Sequence, residues 1–126
     1  MSKRPKYINL VQIKLPMPGI ISIMHRVSGA VLFFALPVLL YIFQQSLVSF
    51  GAFNDLRMFF ANWLVKLIVL ALIWAYLHHL CAGLRHLYMD ARHAVSKEFG
   101  KSSAMVTLVI SLGLTVVLGA KLFGLY

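Results

Sequence analysis

The sequence predicts an all-α integral membrane protein that crosses the bilayer three times. Hydrophobic residues make up 61% of the 126 positions and charged residues only 12%, which leaves too little polar surface for a soluble domain of this length. Three apolar stretches are each long enough to cross the ~30 Å hydrocarbon core as a helix. The net charge of +9 therefore indicates basic residues flanking membrane spans, and no nucleic-acid partner is expected.

The first two spans are predicted over about residues 27–50 and 58–84. The first contains the run VLFFALPVLLYIF, in which Pro37 is tolerated because neighbouring helices stabilise an interrupted helix in lipid. The second is long enough to tilt or to extend beyond the bilayer.

The third span is predicted over about residues 104–123. Small residues of the kind that favour close helix packing lie along it and just beyond it, at Gly113, Gly119 and Gly124. Residues 20–126 are thus predicted to form one membrane-anchor domain. Residues 1–19 are predicted to form a basic cytoplasmic segment, with Pro16 and Pro18 as helix breakers.

The distribution of Lys and Arg predicts the orientation of these spans. Nine of these residues lie before the first span or between the second and third, namely Lys3, Arg4, Lys6, Lys14, Arg26, Arg85, Arg92, Lys97 and Lys101. Arg57 and Lys121 lie on the opposite side, and Lys66 lies within the second span. Because basic loops stay in the cytoplasm, we expect a cytoplasmic N-terminus and a periplasmic C-terminus.

The segment AYLHHLCAGLRHLYMD at the end of the second span carries a polar stripe. His79, Gly83, His86 and Asp90 are spaced by four, three and four residues, so they share one face of a helix. An imidazole within a span is uncommon and indicates function, and a neutral His can ligate haem iron. Gly83, one turn from His79, would leave room for a flat macrocycle beside the backbone.

Two other interpretations of this stripe stay open on spacing alone. A membrane histidine can simply donate a hydrogen bond to a neighbouring helix, and Arg85, His86 and Asp90 can be ordinary residues of the membrane interface.

The chain has no CxxCH motif, which excludes covalent haem attachment, and its histidines lack the companion ligands of a structural zinc site.

The segment SIMHRVSGA at the start of the first span is the second informative pattern. Ser22 and Arg26 are one helical turn apart, and Gly29 continues their stripe. A hydroxyl group and a positive charge at the depth of the membrane predict a site that binds the oxygen atoms of a ligand. The alternative is that His25 and Arg26 are ordinary flanking residues on the cytoplasmic side.

Together these segments resemble the cytochrome b anchor subunits of succinate dehydrogenase, the membrane part of respiratory complex II. The resemblance covers nearly the whole chain: a basic N-terminal segment, SIMHRVSG, three spans, and HxxxGLRHLxxD ending the second. The pairing of the two motifs is specific. The bacterial members are the most similar, which implies the bacterial inner membrane as the location.

The resemblance implies roles for four residues. His79 matches the axial ligand of haem b by its position before GLRH, with His78 as an additional neighbour. Ser22 and Arg26 match residues of the ubiquinone site, and His25 matches a position near the haem propionates.

The propionates of the implied haem are anionic and would lie near the basic cytoplasmic side of the membrane, where we expect His25, Arg26 and Arg85 to cluster.

The resemblance also implies partners. The chain would form part of a heteromeric helix bundle in which a second small anchor subunit supplies the other haem ligand. An iron–sulfur subunit and a flavoprotein would dock on this anchor, while membrane lipid surrounds it. Succinate oxidation would occur on those partners, because this chain has no residues for flavin or iron–sulfur chemistry.

Two rival functions differ in features that the sequence shows. A haem-free structural anchor of a fumarate reductase-like complex would need no imidazole at His79. A small multidrug transporter would need a carboxylate within a span, whereas Asp55, Asp90 and Glu98 are expected in loops or at span ends.

Overall fold

The computed structural model describes residues 17–92 and 97–126. The described residues form four helices: α1 (Met17–Val48), α2 (Phe50–Phe59), α3 (Trp63–Arg92) and α4 (Lys97–Leu122). Three of them contain segments long and apolar enough to cross a membrane, at Met17–Val48, Trp63–Ala91 and Phe99–Leu122. The prediction of an all-α membrane protein with three transmembrane helices is confirmed.

The first helix begins earlier than the predicted span. It starts at Met17 and continues through Pro37 to Val48, and Pro18 lies in its first turn, where a missing N–H removes no hydrogen bond. Pro18 therefore starts the helix and does not break it. Residues 17–19 of the predicted N-terminal segment are helical, and residues 1–16 lie outside the described residues.

A short helix and a turn occupy the region where the second span was predicted to begin. Ser49 caps α2 by accepting a hydrogen bond from the Ala52 N–H at 3.0 Å. The chain turns after Phe59, and the Asn62 side chain accepts from the Leu64 N–H at 2.8 Å as α3 begins. Hydropathy did not predict this break, because capping residues and not polarity end these helices.

The interior of the helix assembly is small and polar, while the large apolar side chains lie outside. Buried positions in the described part are Ile21, Ala75, Ala82, Ala104, Ser28, His78, Arg85, Thr107, Ser111, Thr115, Gly100 and Gly119. The helix α3 packs against both α1 and α4. Such a distribution is typical of a membrane protein, in which small residues allow close helix packing and large apolar ones face lipid.

The prediction that glycines of the third span lie where helices pack closely holds at one position. A Cβ on Gly119 would lie 2.7 Å from Leu70 Cδ1, so this glycine lies at the contact between α3 and α4, although the end of the leucine side chain could move to make room. Gly113 faces open space, and Gly124 has φ +77 in the turn that ends α4.

Candidate functional site

The ring of His79 lies at the contact between α1 and α3. Its Nδ1 is 3.1 Å from the His25 backbone carbonyl and 3.3 Å from Ser28 Oγ, and Ser28 Oγ itself donates to that carbonyl at 2.9 Å. Because a carbonyl oxygen only accepts, this geometry assigns the proton of His79 to Nδ1. The Nε2 lone pair is then left free, the state in which histidine binds a metal while its other nitrogen donates to a carbonyl.

Gly29 allows the His79 ring to lie against the backbone of α1. A Cβ at this position would be 2.9 Å from His79 Cε1 and 3.3 Å from Nδ1. Any side chain here would therefore displace the ring. The sequence placed Gly29 on the Ser22 and Arg26 stripe, and its packing role becomes visible only when the register of α1 against α3 is known.

We expect Gly29→Ala to shift the His79 ring. The ring is held by a hydrogen bond and, unlike the end of a flexible side chain, it cannot rotate away from the added methyl group. The expected result is an altered or weakened haem spectrum in the assembled complex. Gly113→Ala is the matched control, since a Cβ there meets nothing within 4 Å. An unchanged spectrum in the Gly29 variant, or an equal change in both, would contradict this role.

Three imidazoles gather at one end of this contact. The rings of His25 and His79 are stacked, with centroids 4.1 Å apart and planes inclined by 7°. The ring of His86 lies 5.3 Å from that of His25 at 58°. The structure thus brings together two of the predicted site residues, His79 and His25, and His86 joins them from one face of α3.

A shallow groove of about 380 Å³ adjoins the rings of His25 and His86, while His79 is not part of its lining. Its lining consists of His25, Leu80, Gly83, Leu84, His86 and Leu87. A Cβ on Gly83 would come within 3.4 Å of His25 Nε2, so the glycine keeps the groove open. The groove thus has an apolar wall, histidines at one end and, at Gly83, no side chain at its centre. This shape fits the face of a flat macrocycle with an iron ligand nearby.

His78 has a different environment from His79. Its side chain is fully buried and stacks on Trp74 with centroids 5.2 Å apart, and neither ring nitrogen has a hydrogen-bond partner in the structure. His79 is only partly buried and its Nδ1 is hydrogen-bonded to the His25 carbonyl, whereas neither histidine lines the groove. The geometry therefore favours His79 over His78 as the residue that presents a nitrogen to a bound group.

Ser22 and Arg26 lie one turn apart in the first third of α1. The Ser22 side chain is half-buried and that of Arg26 is exposed, and within the described residues neither forms a hydrogen bond or salt bridge. They do not line the groove beside His86. Their polar atoms are thus available to a ligand or to another subunit.

Arg85 does not join the basic cluster that we expected around the haem propionates. Its Nε donates to Ser103 Oγ at 2.9 Å and its Nη2 donates to the Gly100 carbonyl at 3.1 Å, both on α4. The expectation that Arg85 lies beside His25 and Arg26 is wrong, because Arg85 and Gly83 point to nearly opposite sides of α3.

Comparisons with known proteins identify the family of this chain. The family model described as succinate dehydrogenase/fumarate reductase transmembrane subunit matches residues 1–118. The succinate dehydrogenase cytochrome b556 subunit of Coxiella burnetii is 37% identical over 111 residues, which cover 87% of this chain and 89% of that protein. The proteins of the same name from Paracoccus denitrificans and Rickettsia felis are 32% and 30% identical, over 90% and 93% of this chain and 87% and 91% of their own lengths.

Proposed function

The chain belongs to the family of succinate dehydrogenase and fumarate reductase transmembrane subunits, and from this premise we propose that it is a haem-ligating, quinone-handling membrane anchor. In this proposal His79 is one axial ligand of haem b. A second small anchor subunit supplies the other ligand. The iron–sulfur and flavoprotein subunits carry out succinate oxidation, and ubiquinone is reduced at a site to which Ser22 and Arg26 contribute.

The contact of His79 Nδ1 with the His25 carbonyl is the observation that carries the haem assignment. The His25 carbonyl holds Nδ1 at 3.1 Å, so the Nε2 lone pair is available for iron and the ring cannot rotate freely. Bound haem b would supply reversible one-electron transfer at its iron. His25 and His86 adjoin the same groove, and in the proposal His25 donates a hydrogen bond to a haem propionate.

The length of α1 supports a quinone site at one membrane face. Arg26 precedes the end of the helix at Val48 by 22 residues, or about 33 Å, close to the ~30 Å thickness of the hydrocarbon core. Arg26 and Ser22 therefore lie near a bilayer boundary. There Ser22 would donate a hydrogen bond to a quinone carbonyl, and Arg26 would stabilise negative charge that develops on the quinone oxygens.

Orientation in the inner membrane completes the proposal. The excess of Lys and Arg on one side places the N-terminus in the cytoplasm and the C-terminus in the periplasm. The Ser22 and Arg26 end of α1 then faces the cytoplasm, where the soluble iron–sulfur partner would dock. Electrons would reach the quinone without crossing the bilayer.

Topology is tested by a reporter that is active only in the cytoplasm, fused after Tyr126. We expect no reporter activity, because three spans bring the C-terminus to the periplasm. The same reporter fused before Met1 is the control and should be active. Strong activity of the C-terminal fusion would contradict both the orientation and the three-span arrangement.

A haem-free structural anchor is the alternative function within the same family. It would leave His79 with a packing role only, as a donor from α3 to the His25 carbonyl on α1. A reduced-minus-oxidised absorption spectrum of the purified complex distinguishes the two. A b-type band supports the haem-ligating anchor, and its absence from a complex that reduces quinone supports the alternative.

A further inference from the structure

The positively charged side chain of Arg85 is buried, and within the described residues no carboxylate pairs with it. Its residue exposure is 8%, and its guanidinium donates to the neutral Ser103 hydroxyl and the Gly100 carbonyl. Within the described residues it forms no salt bridge with a carboxylate. These contacts satisfy hydrogen bonds but leave the charge uncompensated, which is costly for a residue buried in a membrane protein.

A groove of about 610 Å³ between α3 and α4 leads to this guanidinium. Its lining divides into a polar set, Arg85, Ser102 and Ser103, and a deeper, mostly apolar set, Cys81, Val106, Thr107 and Ile110, while Leu84, Tyr88 and Phe99 complete it. Since α3 and α4 are antiparallel, the second set lies about one turn or more deeper along both helices. The groove therefore changes from polar to apolar along the direction of the bilayer normal.

The polar end lies at the level of lipid headgroups. Arg85 is 22 residues from the start of α3 at Trp63, or about 33 Å along the helix axis. With Trp63 near one surface of the ~30 Å hydrocarbon core, Arg85 lies close to the other. Lipid phosphates lie at this depth.

This groove is separate from the one beside His25 and His86. Gly83 lines the first and Arg85 the second, and these residues are about 200° apart around α3. Leu84 is the single residue that the two linings share. A ligand in the Arg85 groove would thus leave the proposed haem face free.

We propose that the Arg85 groove binds one anionic phospholipid. Its phosphate would accept hydrogen bonds from the Arg85 guanidinium and the Ser102 hydroxyl, and an acyl chain would lie along Cys81, Val106 and Ile110. The charge decides between amphipathic ligands: a neutral quinone also has a polar head and an apolar tail, but it would leave Arg85 uncompensated, whereas a phosphate neutralises it.

Native mass spectrometry of the purified, delipidated complex tests the proposal, with phosphatidylglycerol and phosphatidylcholine as probes. Arg85→Gln alone is ambiguous, because Arg85 also joins α3 to α4. Val106→Trp fills the groove and leaves Arg85 in place, and Val116→Trp makes the same change on a 70% exposed position of α4 outside the lining.

We expect wild-type complex to retain one phosphatidylglycerol roughly tenfold or more tightly than phosphatidylcholine, because both lipids carry the phosphate but the quaternary ammonium of phosphatidylcholine would add a second positive charge beside Arg85. Val106→Trp should weaken this binding by a similar factor, and Val116→Trp should not. Equal binding of the two lipids would overturn the proposal, as would equal loss in both variants or no loss in Val106→Trp. Loss of bound ubiquinone with unchanged lipid in Val106→Trp would assign the groove to quinone instead.

Discussion

Replacement of His79 by alanine is expected to abolish normal haem ligation in the assembled complex. The substitution removes the only imidazole of this chain whose Nδ1 is held by a carbonyl within the described residues, through the contact to His25 at 3.1 Å. The second anchor subunit would then offer a single ligand, and one axial histidine is insufficient for a six-coordinate iron. The measurement is the reduced-minus-oxidised spectrum and the haem content of the purified variant.

His78→Ala is the matched control for this prediction. The two histidines are adjacent, yet His78 is fully buried and stacks on Trp74 without any hydrogen bond to its ring. Its loss leaves a cavity and lowers stability, but it should largely keep the haem spectrum. If His78→Ala alone loses the normal spectrum, the ligand is misassigned by one residue.

Arg26→Leu and Ser22→Ala are expected to reduce succinate–quinone activity by roughly ten- to hundredfold. Loss of a charge-assisted hydrogen bond costs about 1.5–3 kcal/mol, which corresponds to factors of this order. Neither side chain forms a hydrogen bond or salt bridge within the described part of the chain, so truncating them breaks no such interaction there. Electron transfer from succinate to a soluble dye that accepts upstream of the quinone should survive.

Both assays have to be run on the same assembled preparation, because Arg26 also contributes to the positive charge that sets topology. Equal loss of dye and quinone activity would place Arg26 in assembly and not in quinone binding. Arg57→Leu is a suitable control, since it removes an exposed cation from α2. Unchanged quinone activity in both the Arg26 and Ser22 variants would remove these residues from the site.

The membrane spans were predictable because their signal is local. A run of about 20 apolar residues has few other structures available to it. The ends of the helices were less predictable, since they depend on single hydrogen bonds such as those of Ser49 and Asn62. The short helix α2 was missed for the same reason.

The site was predictable only in part. Spacing on one helix placed His79 and Gly83 on a common face, but the partners of His79 lie 51 and 54 residues away in sequence. The roles of Ser28 and Gly29 thus require the register of α1 against α3. Likewise, Arg85 was assigned to the wrong cluster because its hydrogen-bond partners come from α4, 15 and 18 residues later.

A reduced-minus-oxidised absorption spectrum of the complex, purified through a tag on this chain, tests the central claim most directly. The sample should contain the flavoprotein and iron–sulfur subunits and reduce quinone with electrons from succinate. We expect the band of a six-coordinate b-type haem in the wild-type complex, no such band in the His79→Ala complex, and its retention in the His78→Ala complex. An active wild-type complex without that band would contradict the claim that this chain ligates haem.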